Sequence, residues 1–181
     1  MHNEIREWMM YARALHPDHF KHGEVLDVGA QDINGTNRWL FGPACHYMGI
    51  DLVAGRNVDI VMPVHHYAAE NSPEKFDVIV STDCLEHDRY WRESLAAMYR
   101  LLKVGGLMVF TCAGQGRDEH GTETRNPAAS PGTLDYYGNL TPSMIEELAL
   151  DVPNCFASWK WDCHPNTMGP GLDTRFWGIK K

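Results

Sequence analysis

At 181 residues the chain is near the size of one typical domain and too short to fill two separate cores. Its balance of 44% apolar to 22% charged residues is that of a folded globular protein and excludes a disordered or collagen-like chain. With 24 acidic against 16 basic residues the net charge is −8, which disfavours nucleic acid as the main partner. No apolar stretch approaches the ~20 residues of a bilayer crossing, and charges occupy the N-terminus where a signal peptide would be apolar. The expectation is a cytoplasmic protein without a membrane partner. Five cysteines, at positions 45, 84, 112, 155 and 163, form no C-x-x-C pair, so neither a disulfide framework nor a zinc ribbon is expected. The ten histidines lack ligand spacing, and no structural metal is expected.

The N-terminal region, 1–22, opens with a helix from His2 to Leu15, whose residues Ile5, Trp8, Met9, Ala12 and Leu15 share one face; Pro17 lies beyond its end. Glu24 to Gly29 reads as a buried strand stopped by glycine, and Cys45 to Asp51 as a second ending on an acid. Gly35 to Phe41 has room for a short helix. Val58 to Met62 and Lys75 to Ser81 are the third and fourth strands, the fourth apolar enough to be covered on both faces. Asp88 to Lys103 has helical spacing and is ended by Gly105-Gly106; Leu107 to Ala113 is a fifth strand. Residues 114–140 form a long Gly/Pro/Asn-rich insert, the kind of loop that is usually functional. A helix starts at Thr141-Pro142, and Cys155 to Trp161 with Thr174 to Ile179 predict an antiparallel pair. Strands alternating with helices imply a three-layer α/β sandwich around a mostly parallel sheet.

In such a sheet, ligands sit outside the carboxyl ends of the strands. Gly29 allows a close backbone approach after the first strand, and Asp51 at the end of the second can accept two hydrogen bonds from a ribose diol. Both fit an adenosine-containing ligand, against the plain alternative of a tight turn and a solvated acid. A nicotinamide site needs G-x-G-x-x-G to cradle pyrophosphate, whereas the turn reads Gly29-Ala-Gln-Asp-Ile-Asn-Gly35. Asp27, within the first strand, suits a ligand's ammonium group and not a phosphate.

Five pieces in register carry a resemblance: Val25-Leu-Asp-Val-Gly29, Tyr47-Met-Gly-Ile-Asp51-Leu52, Lys75-Phe-Asp-Val-Ile-Val-Ser81, Cys84-Leu-Glu-His87 and Leu101-Leu-Lys-Val-Gly-Gly-Leu107. Over residues 24 to 113 the chain resembles a class I S-adenosylmethionine-dependent methyltransferase. The resemblance implies one domain spanning 1–181 with a Rossmann-like seven-stranded sheet, order 3-2-1-4-5-7-6, strand 7 antiparallel. It implies S-adenosylmethionine as cofactor and a small-molecule acceptor methylated at O, N or C; the alternative is a protein of this fold that binds the cofactor or its demethylated product without turnover. It also implies roles. Asp27 and Gly29 would bind the methionine part with Ala30 and Gln31 in the same turn, Asp51 the ribose, Leu52 and the backbone at Val64 the adenine, and Thr82 and Asp83 the amine and sulfonium.

Two departures from the family pattern matter. Gln31 and Ile33 stand where glycines are usual, so the turn is expected to be rebuilt around Asn34-Gly35 at positive φ. Pro63 replaces an acid that often contacts the adenine amine. His87 is the candidate general base, with capping of the following helix as its alternative role. No metal is expected as a resident group, yet Asp83-x-x-Glu86-His87 resembles a motif by which some quinone-biosynthetic O-methyltransferases bind a divalent cation; otherwise Glu86 sits at a helix start. In the insert, Arg117, His120, Arg125, Tyr136 and Tyr137 are candidates to bind an anionic or aromatic acceptor, the alternative being that the tyrosines close the loop onto the core. Phe156, Trp159 and Trp161 are expected to cover the sheet.

Overall fold

Helix α1 (Asn3–Leu15) buries Ile5, Trp8, Met9 and Ala12 on one face of the sheet, while Leu15 stays exposed. Each large side chain buried in this way contributes ~1.5 to 3 kcal/mol. The computed structural model describes residues 2–167 and 169–181. After a 3-10 turn at Pro17–Phe20 the chain enters strand β1 (His22–Val28), followed by β2 (Ala44–Asp51), β3 (Ile60–Val61) and β4 (Phe76–Thr82). Helix α2 (Val64–Glu70) links β3 to β4, and α3 (Trp91–Leu101) links β4 to β5 (Leu102–Ala113). Two short helices, α4 (Pro142–Leu148) and α5 (Val152–Cys155), precede β6 (Phe156–Pro165) and β7 (Leu172–Lys180).

The sheet order is β3-β2-β1-β4-β5-β7-β6, and β7 runs antiparallel to both β5 and β6. This is the strand order, with the seventh strand antiparallel, that the resemblance implied. The core divides at the sheet. One cluster joins α1 to residues such as Val25, Val78 and Val109; the other joins α2 to α5 to Leu26, Ile79, Met108 and Phe110. Neighbouring residues of one strand feed opposite clusters, which is why the central strands read as unbroken apolar runs.

Four local readings are corrected. Helix α2 has no counterpart in the sequence reading: it spans seven residues behind Pro63, too few for a periodic signal. The short helix expected at Gly35 to Phe41 is one 3-10 turn, Arg38–Leu40. Gly105-Gly106 lies inside β5, where the register with β4 jumps from Phe76–Leu102 to Val78–Leu107; Gly105 has φ 75° at this bulge. The second tail strand begins at Leu172, two residues before Thr174. Thr141 caps α4 as expected, its Oγ1 accepting from Met144 N at 3.3 Å. In the tail, Phe156 and Trp161 join the core packing, and Trp159 is exposed.

Candidate functional site

The carboxyl ends of β1, β2 and β4 open into a cavity of 720 Å³, roofed on the far side by the insert and by the β6–β7 loop. Most residues singled out in the sequence line it: Asp27, Gly29, Ala30, Gln31, Asp51, Leu52, Val64, Thr82, Asp83, His87, Arg117 and His120. Tyr136, Tyr137 and Arg125 do not. The Tyr136 ring packs on the main core below Arg89, and Tyr137 stands behind the rings of His87 and His120. The tyrosines therefore seat the insert on the protein.

The turn after β1 is held by its own backbone. Gly29 N and Ala30 N both donate to Ile50 O, at 2.9 and 3.1 Å, and Ile33 N donates to Gln31 O. Gly29 has φ 76°, and a Cβ there would lie 2.5 Å from Cys84 Cβ, so the glycine makes room for the start of the 84–88 turn. Gly35 takes the positive φ expected of the Asn34-Gly35 pair, at 135°, and its N–H donates to Asp32 Oδ1 at 2.8 Å. Asn34 is not at positive φ. Asn57 Nδ2 ties the turn to the next loop by donating to Ala30 O at 3.0 Å, and Arg56 pairs with Asp32 at 2.7 Å. The Gln31 side chain lies against Gly55, where a Cβ would come within 2.6 Å of its Nε2.

Asp27 is buried at the cavity floor. Tyr47 donates its hydroxyl to Oδ2, and Asn37 Nδ2 donates to Oδ1 at 3.4 Å and to Thr82 Oγ1 at 3.1 Å. Burial pushes the Asp27 carboxyl up to about 7, against the lowering effect of those two donors. Burial, reinforced by the Asp27 charge, also holds the Tyr47 phenol far above its ordinary value, so it remains a donor. Asn37 is 1% exposed, and its Oδ1 has no hydrogen-bond partner among the described residues. The sequence reading missed it. Its only signal was a short polar residue ahead of a 3-10 turn.

Asp51 Oδ2 accepts from Gln31 N at 2.9 Å and Oδ1 from Val53 N at 3.2 Å, which fixes the carboxylate at the cavity edge with lone pairs to spare. Leu52, 42% exposed, forms the rim. On the opposite side Asp83 adopts the left-handed conformation, φ 50°, held where its N–H donates to Thr111 O at 3.0 Å. Its carboxyl is raised by burial.

The other side of the cavity is built from the 84–88 turn and the insert. Glu86 Oε1 accepts from Ala113 N at 3.1 Å, and its backbone carbonyl accepts from Gly138 N at 2.8 Å. Burial and then the Asp83 charge push Glu86 up to about 8, and burial, with His120 and Arg117 adding to it, pushes His87 down to about 4. The His87 and His120 rings meet edge to face at 5.0 Å. Arg117 is the one Lys or Arg among the described residues of the cavity wall, and it is ion-paired with buried Asp173. Asp83 is not in the set of convergent donors; the carboxylate and two imidazoles that approach one another are Glu86, His87 and His120.

Residues 1–170 match the family model described as a methyltransferase domain. The chain belongs to this family. No curated protein sequence matches the methyltransferase. Among solved structures it is similar to the Burkholderia thailandensis 1,6-didemethyltoxoflavin-N1-methyltransferase with bound 1,6-didemethyltoxoflavin and S-adenosylhomocysteine, at 19% identity and TM-score 0.67, covering 96% of this chain and 78% of that one. Haemonchus contortus phosphoethanolamine N-methyltransferase 2, in complex with S-adenosyl-L-methionine, matches at 19% identity and TM-score 0.59 over 94% of this chain and 52% of its own. A SAM dependent methyltransferase from Archaeoglobus fulgidus matches at 13% identity and TM-score 0.61, over 97% and 94%. The chain thus spans about half the length of the Haemonchus contortus enzyme and most of the other two. At these identities the likeness concerns the fold. No helix among the described residues is long and apolar enough to cross a membrane.

Proposed function

We propose that residues 1–181 act as one S-adenosylmethionine-dependent methyltransferase domain that modifies a small-molecule acceptor. The observation that carries this reading is the pair of buried acceptors at the cavity floor, the Asp27 carboxylate and the partnerless Asn37 Oδ1. Buried polar atoms of this kind call for a donor, and an α-ammonium group supplies one. Asp51 would hold the ribose hydroxyls with its remaining lone pairs. Leu52 and the start of α2 at Val64 would flank the adenine, while Gly29, Ala30, Gln31, Thr82 and Asp83 would border the methionine part.

When bound, the cofactor supplies a sulfonium methyl: the acceptor's lone pair forms the new bond to carbon as the S–C pair returns to sulfur, giving S-adenosylhomocysteine and releasing any acceptor proton. The protein's part is alignment, which can supply ~7 to 11 kcal/mol of the barrier. His87 borders the acceptor space as a neutral imidazole, and at about 4 it is a weak proton acceptor. The reading therefore favours a nucleophile that needs little help in losing a proton. Arg117 is already neutralised by Asp173, and Asp88, Asp118 and Glu119 line the same wall, which favours a neutral or cationic acceptor over an anionic one. We place the protein in the cytoplasm, consistent with five free cysteines among the described residues. A small-molecule partner, with neither nucleic acid nor membrane, suits an enclosed acidic cavity.

Isothermal titration with S-adenosylmethionine and S-adenosylhomocysteine, with NAD as control, tests the cofactor. Micromolar binding of the first two alone supports the reading, and binding of none overturns it. An acceptor screen for methyl transfer then separates an enzyme from a protein that binds the cofactor without turnover.

A further inference from the structure

Beside the cavity, three side chains from two segments bring potential ligand atoms close together. Glu86, His87 and His120 each offer one ligand atom within 4.8 Å of the others. Glu86 is 1% and His87 4% exposed, and Glu86 Oε2 and His87 Nδ1 lack hydrogen-bond partners among the described residues. A buried carboxylate oxygen and a buried imidazole nitrogen left open are costly, because neither recovers the hydrogen bonds it gave up to water. His120 Nδ1 lies 3.0 Å from Asp118 O; donation to that carbonyl fixes the tautomer and leaves Nε2 free with its lone pair exposed. A backbone carbonyl on the second ring nitrogen is the usual support of a ligating histidine.

The surroundings bring the insert close to this point. Gly121, φ 66°, lies against His87: a Cβ there would sit 2.6 Å from His87 Cε1. Gly138 N donates to Glu86 O at 2.8 Å, closing the other end of the insert on the same turn. The donor set thus has one carboxylate and one imidazole from the 84–88 turn, with the second imidazole from the insert.

We infer that Glu86, His87 and His120 bind one divalent transition-metal ion, which pins the insert over the cavity. Two imidazoles and one carboxylate suit Zn²⁺ or Fe²⁺ better than Mg²⁺, which demands oxygen ligands. Metal–ligand distances of about 2.0 to 2.2 Å require the three donors to close by only small side-chain movements. His87 and His120 both border the cavity, so a remaining coordination position faces the space where an acceptor would lie. The site rests on the proposed function only in that last respect; metal binding and pinning of the insert do not depend on it.

The test uses the untagged full chain, stripped with a chelator and titrated with Zn²⁺ and with Co²⁺ as a spectroscopic probe, in the absence of S-adenosylmethionine. The expected result is one equivalent of metal, Co²⁺ visible bands of a nitrogen/oxygen site, and slower protease cleavage within 114–140 once metal is added. His120→Gln, on the partly exposed insert, should lower affinity at least tenfold and abolish the protection; Glu86→Gln, which keeps the acceptor for Ala113 N, should do the same. Circular dichroism melts identify any variant that fails to fold. Metal binding in His120→Gln equal to wild type would assign the ion to other histidines and overturn the proposal, as would no stoichiometric binding. If metal binds but the cofactor does not, the proposed function falls alone; if the cofactor binds and metal does not, this site falls alone.

Discussion

The two ends of the cavity are built on different terms. At the β1–β2 end, short turns are closed by backbone hydrogen bonds and glycines, so that Asp27 and Asp51 are held by Tyr47, Asn37, Gln31 N and Val53 N before any ligand arrives. At the insert end, Glu86 Oε2, His87 Nδ1, the Tyr137 hydroxyl and Asn139 Oδ1 are all buried without hydrogen-bond partners among the described residues. The first end is complete apart from one acceptor on Asn37; the second has a cluster of open polar atoms that something must satisfy. Under the proposed function, the hydrogen-bonded β1–β2 end would hold the cofactor and the end with open polar atoms would face the acceptor.

The comparison breaks most sharply at Gly29. Gly29→Ala forces a side chain into the left-handed region and against Cys84, at ~1 to 2 kcal/mol for the backbone and ~1 to 3 more for the overlap. A denaturant melt should show the loss, and cofactor titration should show no binding, since the β1 turn moves with the 84–88 turn. Retained affinity would show that the turn is less rigid than its hydrogen bonds indicate.

Asp27→Asn comes next. It should weaken S-adenosylmethionine binding by ~2 to 3 kcal/mol through loss of a charge-assisted bond. Stability should move the other way. With the folded carboxyl raised to about 7, wild-type stability is greatest where the unfolded carboxyl is still protonated, below about 4, and this contribution is lost as pH rises to 7. The variant should therefore gain on wild type across that window, by at most ~1.4 kcal/mol per pH unit, and the gain should level off above pH 7. Cofactor affinity in wild type should rise with pH over the same range, by up to tenfold per unit, because an ammonium pairs only with the ionised form. Melts and calorimetry at pH 5, 6, 7 and 8 check both; an affinity independent of pH would take Asp27 out of the amine site.

Asp51→Ala should cost ~1 to 3 kcal/mol in cofactor affinity; unchanged affinity removes the ribose assignment. The smallest effect at the cofactor end comes from the opposite side of the cavity. Gly121→Ala, which pushes on His87 and Ser130, should leave S-adenosylmethionine affinity within about twofold while speeding protease cleavage in the insert. A larger change in affinity would mean that the two ends are coupled.

Much of this was legible before the chain was folded. The alternation of apolar strands and amphipathic helices points to a mostly parallel sheet, the family resemblance implies its order, and Asp27, Gly29 and Asp51 stand at or near strand ends that open into the cavity. Strand residues facing two packed layers must be apolar, and ligand-binding residues of such sheets must sit at carboxyl ends. Helix α2 escaped because its seven residues carry too little periodicity. Gly105-Gly106 signals a helix stop in the sequence yet lies within β5, since a bulge and a stop both use glycine's freedom at positive φ.

What the sequence determined by itself was local: which segments could be strands or helices, where turns had to fall, and which acids stood at strand ends. Only the tertiary structure decided that Asn37 bridges Asp27 and Thr82, that Gly29 accommodates Cys84, that Tyr136 and Tyr137 seat the insert instead of lining the cavity, and that His120 comes to Glu86 and His87. These pairs lie 10 to 55 residues apart, and no periodicity or capping rule links residues at such separations. Their meeting depends on how the β1–β2 loop, the 84–88 turn and the insert pack at the end of the sheet.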